Sequence, residues 1–531
     1  MRRTIPTWIF GVAITAIMLI GNLWHVITQW FTNKPEQVFT GIAHFHTDYF
    51  LYVSQIAQGA RGAVLWSEHL FTNESLSPTW IYWFNILLGN LGGLIGFSPF
   101  FIYTFFLAFL AFLALLVWYR IIQRMFPREL LLQTIAFLFV ATSSGFAAVG
   151  DFWFSPTPAL NRLGGVPHQV FQTILLLLVV LYFVDGMSSK FRLTIGRIGV
   201  LVGLSFLAAT ANPIQMILVV LAGAITLLLM KPRSYRVAFS LLLAVSIPAL
   251  FGAWLTNAEF ARQPILLAAK AWENSQQIHV SLWQFILAVG PIALLMPFGV
   301  KPFLSLKTPF VTMFFLFGIL SLIIFFSPIP VFLGTASVRW LSPASYGVFP
   351  ILGALGLIEV SQFLYRTAKK TIPLSLVRYS LLALYLIFTV PSLLVQVNAR
   401  TMPLQTDPTL IALNHVPQDT MEVLTFMKTS KNQGVVLTDP HVPYDILVPV
   451  MTGLTSFTGH PLHTLFPQQK ESLRQEFFSG AMSPAQVRQF LIDHRIGFIL
   501  ISPNTTLSPY SFVQKQFENT LLVVYKTTMQ Q

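Results

Sequence analysis

Long apolar runs separated by short charged segments dominate the sequence. About eleven runs are long enough, or nearly so, to cross a membrane as helices, because a span needs about 20 apolar residues. These runs lie near residues 8–29, 100–121, 129–149, 168–185, 197–211, 214–230, 237–255, 282–299, 309–327, 340–362 and 375–397. The pattern predicts an α-helical polytopic membrane protein with about eleven transmembrane helices. Asn212-Pro213 separates two of the runs, which indicates either two helices or one kinked hairpin.

The positive residues predict the orientation of these spans. The run over 80–97 is apolar but rich in glycine, and if it crossed the membrane, Arg120, Arg124 and Arg128 would lie outside. If it instead forms an interfacial helix, the positive clusters between the spans fall on the cytoplasmic side, as the positive-inside rule requires. We therefore expect a multi-pass protein of the cell membrane with its N-terminus in the cytoplasm and its C-terminus outside.

A change of composition after about residue 398 predicts a second domain. Residues 1–397 form the predicted transmembrane domain, with a first outer loop over 31–79 and the interfacial helix over 80–97. Residues 398–531 begin with a proline-rich linker and continue as a small extracytoplasmic α/β domain. Its predicted elements are helices over 420–430 and 483–495 and strands over 434–438, 498–502 and 521–525.

Composition and charge exclude several classes of function. Of the 531 residues, 55% are hydrophobic and only 10% are charged, against about 25% charged in a soluble domain. The net charge of +13 is divided among short clusters between apolar runs, which is typical of loop anchors and argues against nucleic-acid binding. The absence of cysteine excludes disulfides, thiolate metal sites and a catalytic thiol. No carboxylate lies in the middle of a predicted span, which disfavours an ion-coupled transporter.

The stretch over 44–52 is the first candidate for chemistry. Asp48 lies there, in the first long hydrophilic loop, and apolar residues at helical spacing follow it from Tyr49 to Ile56. This spacing predicts a short helix on the membrane surface with Asp48 near its start. Asp48 is then either the helix cap or an active-site carboxylate held at the water boundary.

Two further outer residues are candidates for the same site. Asp151 begins the second outer loop, and Arg339 precedes the span that starts at Trp340. Two carboxylates can act as a general base and as a metal ligand or orienting partner. An arginine at the membrane surface suits a lipid phosphate, because its planar fork binds two phosphate oxygens. The alternatives are a solvated loop end for Asp151 and an interfacial anchor for Arg339.

The histidines outside the spans offer weaker signals. On an extended segment His44 and His46 would share a face and could bind a divalent metal together with Asp48. His168 follows a proline at the start of a span, where it either caps the helix or lines a cavity. His460 and His463, in the C-terminal domain, have a structural role, contact the substrate or bind a metal.

The order of these features resembles that of the C-type (GT-C) membrane glycosyltransferases, which include protein mannosyltransferases and lipid-linked aminoarabinose transferases. The shared order is one span, a long outer loop with an acidic residue, surface helices and about ten more spans. Particular stretches are also similar to a group of bacterial membrane proteins. These stretches are Asp48–Tyr52, Gln58–Ala60, Thr72–Glu74, Arg339–Pro343 and Gly459-His460.

This resemblance implies an inverting transfer of sugar from a polyprenyl-phosphate donor to a glycan, lipid or protein acceptor on the outer face. The loop aspartate of the superfamily maps to Asp48, which would deprotonate or orient the acceptor hydroxyl, and its second acidic position maps to Asp151. Arg339 would hold the departing lipid phosphate. A divalent metal is a candidate cofactor. Further candidates for substrate contacts are His46, Glu74 and His168.

Two other functions remain open from the sequence. A lipid or polysaccharide exporter would carry polar or charged groups through the middle of its helical bundle. A membrane-anchored assembly factor of the cell envelope would act through residues 404–531 and would not need Asp48.

Overall fold

The structure is a computed structural model that describes residues 7–43, 45–146, 155–187, 194–230, 234–430 and 434–528. Within these ranges most residues are helical. The elements of the first half are α1 (Thr7–Thr32), β1 (Gln37–Phe39), α2 (His46–Ala60), α3 (Trp83–Gly93), α4 (Pro99–Met125), α5 (Leu130–Thr142), α6 (Ala159–Leu163), α7 (Pro167–Met187), α8 (Ile195–Ala211), α9 (Pro213–Leu229), α10 (Tyr235–Arg262) and α11 (Pro264–Ser275).

The second half carries helices and most of the strands. Its elements are α12 (Leu282–Val289), α13 (Ile292–Ser305), α14 (Pro309–Phe325), α15 (Ile329–Phe332), α16 (Pro343–Tyr346), α17 (Val348–Thr367), α18 (Leu374–Thr401), α19 (Pro403–Thr406), α20 (Pro408–Asn414), β2 (His415–Pro417), α21 (Gln418–Thr429), β3 (Val435–Thr438), α22 (Val448–Met451), α23 (Pro467–Phe478), α24 (Pro484–Asp493), β4 (Ile496–Ile501), β5 (Val513–Glu518) and β6 (Val523–Thr527). Short 3-10 helices cover Ser337–Trp340 and Pro443–Ile446.

The apolar runs of the sequence form helices, as predicted. Six helical stretches in the described ranges are long and apolar enough to cross a membrane: Trp8–Thr32, Pro99–Met125, Pro167–Met187, Tyr235–Arg262, Pro343–Thr367 and Leu374–Thr406. The shorter apolar helices are α5, α8, α9 and α14. The total of about eleven spans remains a prediction, because length and composition alone do not show which of the shorter helices cross.

One predicted run is broken. The run near 282–299 forms α12 and α13, which meet at an angle of 91°. Gly290 has a φ of +77° and ends α12, and Pro291 follows it. A glycine in this conformation followed by a proline, which has no N–H to donate, does not continue a helix. At the other ambiguous position, Asn212 caps α9 by accepting a hydrogen bond from the Gln215 N–H at 3.2 Å, so α8 and α9 are separate helices.

The contacts divide the chain into two compact units. The first comprises Met1–Trp24, Leu107–Ala258 and Ala271–Ala399, within the described ranges. Its helices α13 and α17 approach each other through glycines. A Cβ on Gly299 would lie 1.9 Å from the Leu352 carbonyl oxygen, and one on Gly356 would lie 1.9 Å from that of Leu295. Small residues at such a contact allow two helix backbones to touch, which is a common basis of packing between membrane helices.

Arg162 is buried in the first unit, where backbone carbonyls surround its guanidinium group. Its Nη2 donates to the Ser143 and Ala141 oxygens at 2.7 and 3.4 Å, and its Nη1 and Nε donate to three more carbonyls. The Tyr346 ring lies 5.2 Å from the guanidinium carbon. Two of these acceptors belong to the last turn of α5, where carbonyls lack helical partners. Arg162 therefore stabilises the end of α5 and the loop that follows Ser155.

The second unit comprises His25–Phe106, Glu259–Lys270 and Arg400–Gln531, within the described ranges. In it, the antiparallel pair β1–β2 joins the first predicted outer loop to the C-terminal region. A four-stranded sheet has the order β3-β4-β6-β5, in which β3 and β4 are parallel and the other pairs are antiparallel. The contacts thus group most of the predicted loop over 31–79 with residues 400–531. The division into two functional domains at residue 397 remains a prediction.

The predicted helices and strands of the C-terminal region are confirmed as α21, α24, β3, β4 and β6. Ser483 begins α24 with a capping box in which Gln486 takes part. The sequence prediction missed β5, whose side chains are mostly exposed and polar. The predicted helix over 80–97 is shorter than expected, because α3 covers Trp83–Gly93 only. Its position at the membrane surface remains a prediction.

We predict that Arg162→Lys destabilises the protein by about 3 kcal/mol, because lysine offers three donors and leaves at least two buried carbonyls without a partner. The expected result is a clear decrease of the melting temperature of the detergent-solubilised chain. Arg366→Lys, at an exposed position near the end of α17, is the matched control and should leave the melting temperature unchanged. Equal melting temperatures for the two variants would contradict the structural role of Arg162.

Candidate functional site

Helix α2 carries Asp48 in its first turn. The helix begins at His46, and Phe45 occupies the N-cap position without a side-chain hydrogen bond to the helix. The interpretation of Asp48 as the helix cap is therefore wrong. The helix is more buried than a helix that only lies on a surface, because α2 is buried from Tyr49 to Gly59 except at Tyr52. Its position at the membrane surface remains a prediction.

Glycines explain this burial of α2. A Cβ on Gly59 would lie 2.2 Å from the Ile86 oxygen, and one on Gly89 would lie 2.0 Å from the Ile56 oxygen. The backbones of α2 and α3 are therefore in direct contact. Tyr49, fully buried, donates a short hydrogen bond from its hydroxyl to the Thr40 oxygen. Asp48 therefore lies on a helix that packing holds in place, and its own side chain is still partly exposed to solvent.

One partner of Asp48 in the described structure is a histidine 412 positions away. His460 Nε2 lies 3.1 Å from Asp48 Oδ1. The side chain of Asp48 is 30% exposed, whereas that of His460 is 1% exposed. The other ring nitrogen of His460 faces two backbone N–H groups, those of Leu462 at 3.0 Å and His463 at 3.1 Å. The buried imidazole of His460 is therefore hydrogen-bonded to a carboxylate that remains accessible to solvent.

Hydrogen bonds hold the segment around His460 against residues 70–72, which belong to the same compact unit as α2. The Ser456 N–H donates to the Leu70 oxygen at 2.8 Å, and the Thr464 hydroxyl donates to the Phe71 oxygen at 2.8 Å. The Leu465 N–H donates to the Thr72 hydroxyl at 3.1 Å. These contacts fix the loop that carries His460 to the same compact unit as α2.

The titratable groups near Asp48 are held in their neutral forms. Burial lowers the pKa of His46, although the charge of Asp407 opposes this change. Burial also raises the pKa of Tyr82, and the charge of Asp48 raises it further. The Tyr82 hydroxyl lies 3.0 Å from Nε2 of His463, whose pKa burial lowers well below its ordinary value. Tyr82 therefore keeps its proton, and burial makes His46 and His463 weaker bases than free imidazoles.

Glu74, a predicted substrate contact, forms an ion pair in the same unit. Lys470 Nζ lies 2.8 Å from Glu74 Oε2 and 3.1 Å from the Thr72 hydroxyl, which itself bonds to Glu74. Burial opposes ionisation of Glu74, but the hydrogen bonds from Lys470 and Thr72 outweigh it and lower the pKa of Glu74. Burial lowers the pKa of Lys470, and Glu74 counteracts that change. A substrate contact of Glu74 remains a prediction.

Arg339 and His168 belong to the first unit. Arg339 binds Glu273 through two hydrogen bonds, from Nε to Oε1 at 2.6 Å and from Nη2 to Oε2 at 3.0 Å. Its backbone oxygen accepts a hydrogen bond from Gln215 at 2.7 Å. His168 is the second residue of α7 and is half-buried. Arg339 is thus held in place by its neighbours on both the main chain and the side chain.

The remaining predicted site residues are not brought together in the described structure. Asp151 and His44 lie outside the described residues. Among the residues that are described, no three histidine or acidic side chains are close enough to hold a metal ion. The donors around Asp48 therefore do not fit a metal site as far as the structure describes them, and a divalent cofactor remains a prediction.

The sequence analysis missed three partners of the predicted residues. The sequence does not link His460 to Asp48, and it links neither Glu273 nor Lys470 to a site. Each lies 66 or more positions from its partner. Only the loop Gly459-His460-Pro461, with a histidine between two turn-forming residues, signals a fixed side chain in the sequence.

Comparisons with known proteins support the fold. Neither a protein-family model nor a curated protein matches the chain. The structure is similar to the oligosaccharyltransferase of Archaeoglobus fulgidus in its apo form (TM-score 0.53) and tethered to an acceptor peptide containing the NVT sequon (0.52). The same archaeal enzyme, AglB, in complex with an inhibitory peptide and a dolichol-phosphate has a TM-score of 0.50. Each likeness has 12% identity and covers 93% of this chain and 69% of the other. The chain therefore shares the fold of these oligosaccharyltransferases.

We predict that Glu74→Gln destabilises the protein, because it leaves the buried charge of Lys470 without a counter-ion. Breaking a buried pair costs about 3–5 kcal/mol, and the 29% exposure of Glu74 places the expected value at the lower end. The double variant Glu74→Gln/Lys470→Met should regain most of the melting temperature. Glu518→Gln, in the exposed pair with Lys515, is the control and should have no effect. A stable single variant would contradict the role of this pair.

Proposed function

We propose that the protein is a membrane glycosyltransferase that transfers a sugar from a polyprenyl-phosphate donor to an extracytoplasmic acceptor. The observation that carries the proposal is the solvent-accessible carboxylate of Asp48, supported by buried His460, on a fold shared with oligosaccharyltransferases over 93% of the chain. One of those structures contains dolichol-phosphate and another an acceptor peptide. A lipid-linked donor and an acceptor molecule are therefore the expected partners.

Asp48 acts as the general base in this proposal. An acceptor hydroxyl transfers its proton to the Asp48 carboxylate while its oxygen attacks the anomeric carbon of the sugar. The bond between that carbon and the phosphate oxygen breaks on the opposite face, so the configuration inverts and the lipid phosphate leaves with the electron pair. A positioned base contributes about 100- to 10,000-fold in rate. Burial lowers the pKa of His46 and so makes it a weaker base than a free imidazole, and Tyr82 keeps its proton because its pKa is raised.

Arg339 binds the departing lipid phosphate in this proposal. Its planar guanidinium suits a phosphate, because it can donate two parallel hydrogen bonds. Since Glu273 engages Nε and Nη2, the phosphate has to bind along the remaining edge of the guanidinium or displace the carboxylate. Glu273 keeps the arginine in one orientation before the lipid arrives.

The remaining predicted residues have supporting roles in this proposal. Asp151 is the second acidic residue of the site, and His46, Glu74 and His168 contact the substrate. A divalent metal remains a candidate cofactor, although no three histidine or acidic side chains among the described residues are close enough to hold one. The proposal assigns proton transfer and phosphate binding to side chains of the chain itself.

We predict that Asp48→Asn lowers turnover about 100- to 10,000-fold without changing the melting temperature, because asparagine keeps the shape and removes the proton acceptor. The assay measures transfer by the purified full chain from a panel of polyprenyl-phosphate-linked hexoses, pentoses and aminopentoses. Asp493→Asn, on the exposed side of α24, is the matched control. Wild-type turnover by Asp48→Asn with any donor would show that Asp48 is not the base.

The same assay distinguishes the role of Asp48 as a base from the role of Arg339 in binding phosphate. Arg339→Ala should weaken binding of the polyprenyl-phosphate, measured as a higher KM, whereas Asp48→Asn should lower kcat with little change in KM. If no donor of the panel is used by the wild-type chain, the transferase proposal itself fails.

We also propose the topology given by the positive residues, with 31–79 and 398–531 outside and 363–374 in the cytoplasm. The chain has no cysteine, so single cysteines can be introduced at exposed positions. Ser472→Cys should react with a membrane-impermeant maleimide in intact cells, and Thr371→Cys should react only after the membrane is opened. If only Thr371→Cys reacts in intact cells, the orientation is the reverse of the proposed one, and Asp48 lies on the wrong side of the membrane for an outer acceptor.

A further inference from the structure

We propose that His460 is the positioning residue of the candidate base: it donates a hydrogen bond from Nε2 to Asp48 and thereby fixes the carboxylate for the acceptor hydroxyl. The inference rests on the proposed function, because it gives His460 a role through Asp48. Nothing in the chemistry requires His460 to touch the substrate, since its side chain is 1% exposed.

The hydrogen bonds of His460 determine which nitrogen carries its proton. Nδ1 lies 3.0 Å from the Leu462 N–H and 3.1 Å from the His463 N–H. Both backbone groups can only donate, so Nδ1 must be the acceptor and carries no proton. In the neutral ring the proton is then on Nε2, which lies 3.1 Å from Asp48 Oδ1. His460 is therefore a neutral donor to a carboxylate.

The ring is fixed as well as oriented. The His460 backbone N–H lies 3.4 Å from the Thr464 hydroxyl, which donates in turn to the Phe71 oxygen. The rings of Phe71 and His463 lie edge-on at centroid distances of 6.1 and 4.9 Å. Space behind the loop is also limited, because a Cβ on Gly459 would meet Phe71 at 3.1 Å. Packing on these sides leaves the imidazole little freedom to turn away from Asp48.

A neutral donor suits a general base better than a cation would. A lysine or arginine at this position would form an ion pair and hold the carboxylate charge strongly, which would reduce its tendency to accept a proton. The N–H of a neutral imidazole orients one carboxylate oxygen without adding charge. The other titratable groups near Asp48 are His46, Tyr82 and Tyr103. A carboxylate in a defined orientation matters because misplacement by about 1 Å can cost about 100-fold in rate.

The competing interpretation is that His460 only anchors its own loop through Nδ1. Two substitutions separate these roles, because each keeps one half of the imidazole. In His460→Gln the side-chain N–H group reaches the position of Nε2, so the donor to Asp48 is kept while the acceptor at Nδ1 is lost. In His460→Asn the shorter side chain keeps an acceptor near Nδ1 and loses the donor to Asp48.

The first experiment tests the contact without a substrate. The full chain in detergent is labelled with [15N]histidine, and the His460 signals are identified by their loss in His460→Gln. We expect a protonated Nε2 and an unprotonated Nδ1. We also expect the Nε2–H proton signal to move upfield in Asp48→Asn, because its acceptor loses its charge. A protonated Nδ1, or an Nε2–H chemical shift that is the same in Asp48→Asn as in the wild-type chain, would overturn the inference.

The second experiment compares turnover of the two variants with a donor that the wild-type chain uses. We expect His460→Asn to lower kcat about 100-fold with an unchanged KM, and His460→Gln to keep most of the activity. The reverse order would assign His460 to loop anchoring only. Melting temperatures measured in parallel identify any loss that comes from unfolding.

Asp48→Asn is measured beside them, so that the two proposals fail in different ways. If Asp48→Asn is inactive while both His460 variants keep wild-type kcat, only the positioning role is wrong. If Asp48→Asn is fully active, the role of Asp48 as the base is wrong, and if no donor is used, the transferase proposal is wrong. In both cases the labelling experiment still decides whether His460 donates to Asp48.

Discussion

The backbone pairing between the first predicted outer loop and the C-terminal region determines the candidate site. Strands β1 and β2 pair in register from Gln37 opposite Pro417 to Phe39 opposite His415. Further along, Leu70 and Phe71 accept hydrogen bonds from the segment that carries His460. Without these bonds, Asp48 would keep its helix but lose its buried neighbour. The helix that carries Asp48 is therefore formed by residues close to it in the sequence, whereas its neighbour His460 comes from a distant part of the chain.

The sequence predicted the elements of the fold better than their surroundings. Apolar runs and capping residues are local signals, so most helices and the start of α24 followed from short stretches, whereas Asn212-Pro213 left two alternatives open. The burial of α2 did not follow, because the stripe from Tyr49 to Ile56 would look the same against a membrane or against α3. The glycines at 59, 89 and 93 distinguish these cases, and they do so through a contact between two helices.

The candidate site was predicted in part for the same reason. The position of Asp48 near the start of a helix could be inferred from the residues after it. Its hydrogen bond to His460 could not be inferred, because no local pattern links two residues across 412 positions. Glu74 and Arg339 were singled out for substrate contacts, and the structure adds a partner of opposite charge to each. A single sequence offers no signal for such pairs.

The buried charges of the chain are stabilised in different ways. Arg162 is surrounded by carbonyl oxygens, Lys470 by one carboxylate and one hydroxyl, and Asp48 by the N–H of a neutral ring. The five carbonyls match the five N–H donors of Arg162, and Glu74 supplies Lys470 with a counter-ion, so both arrangements suit a structural role. The third leaves the carboxylate partly exposed, which suits a group that has to exchange a proton.

The distance along the chain between Asp48 and His460 also has a consequence for biosynthesis. A ribosome adds about 5–20 residues per second, so about 20 to 80 s pass between synthesis of the two residues. During that interval the inserted part of the chain already contains α2 but not the imidazole that orients its carboxylate. In the proposed function, the candidate base would therefore lack its positioning residue until synthesis of the C-terminal region is finished.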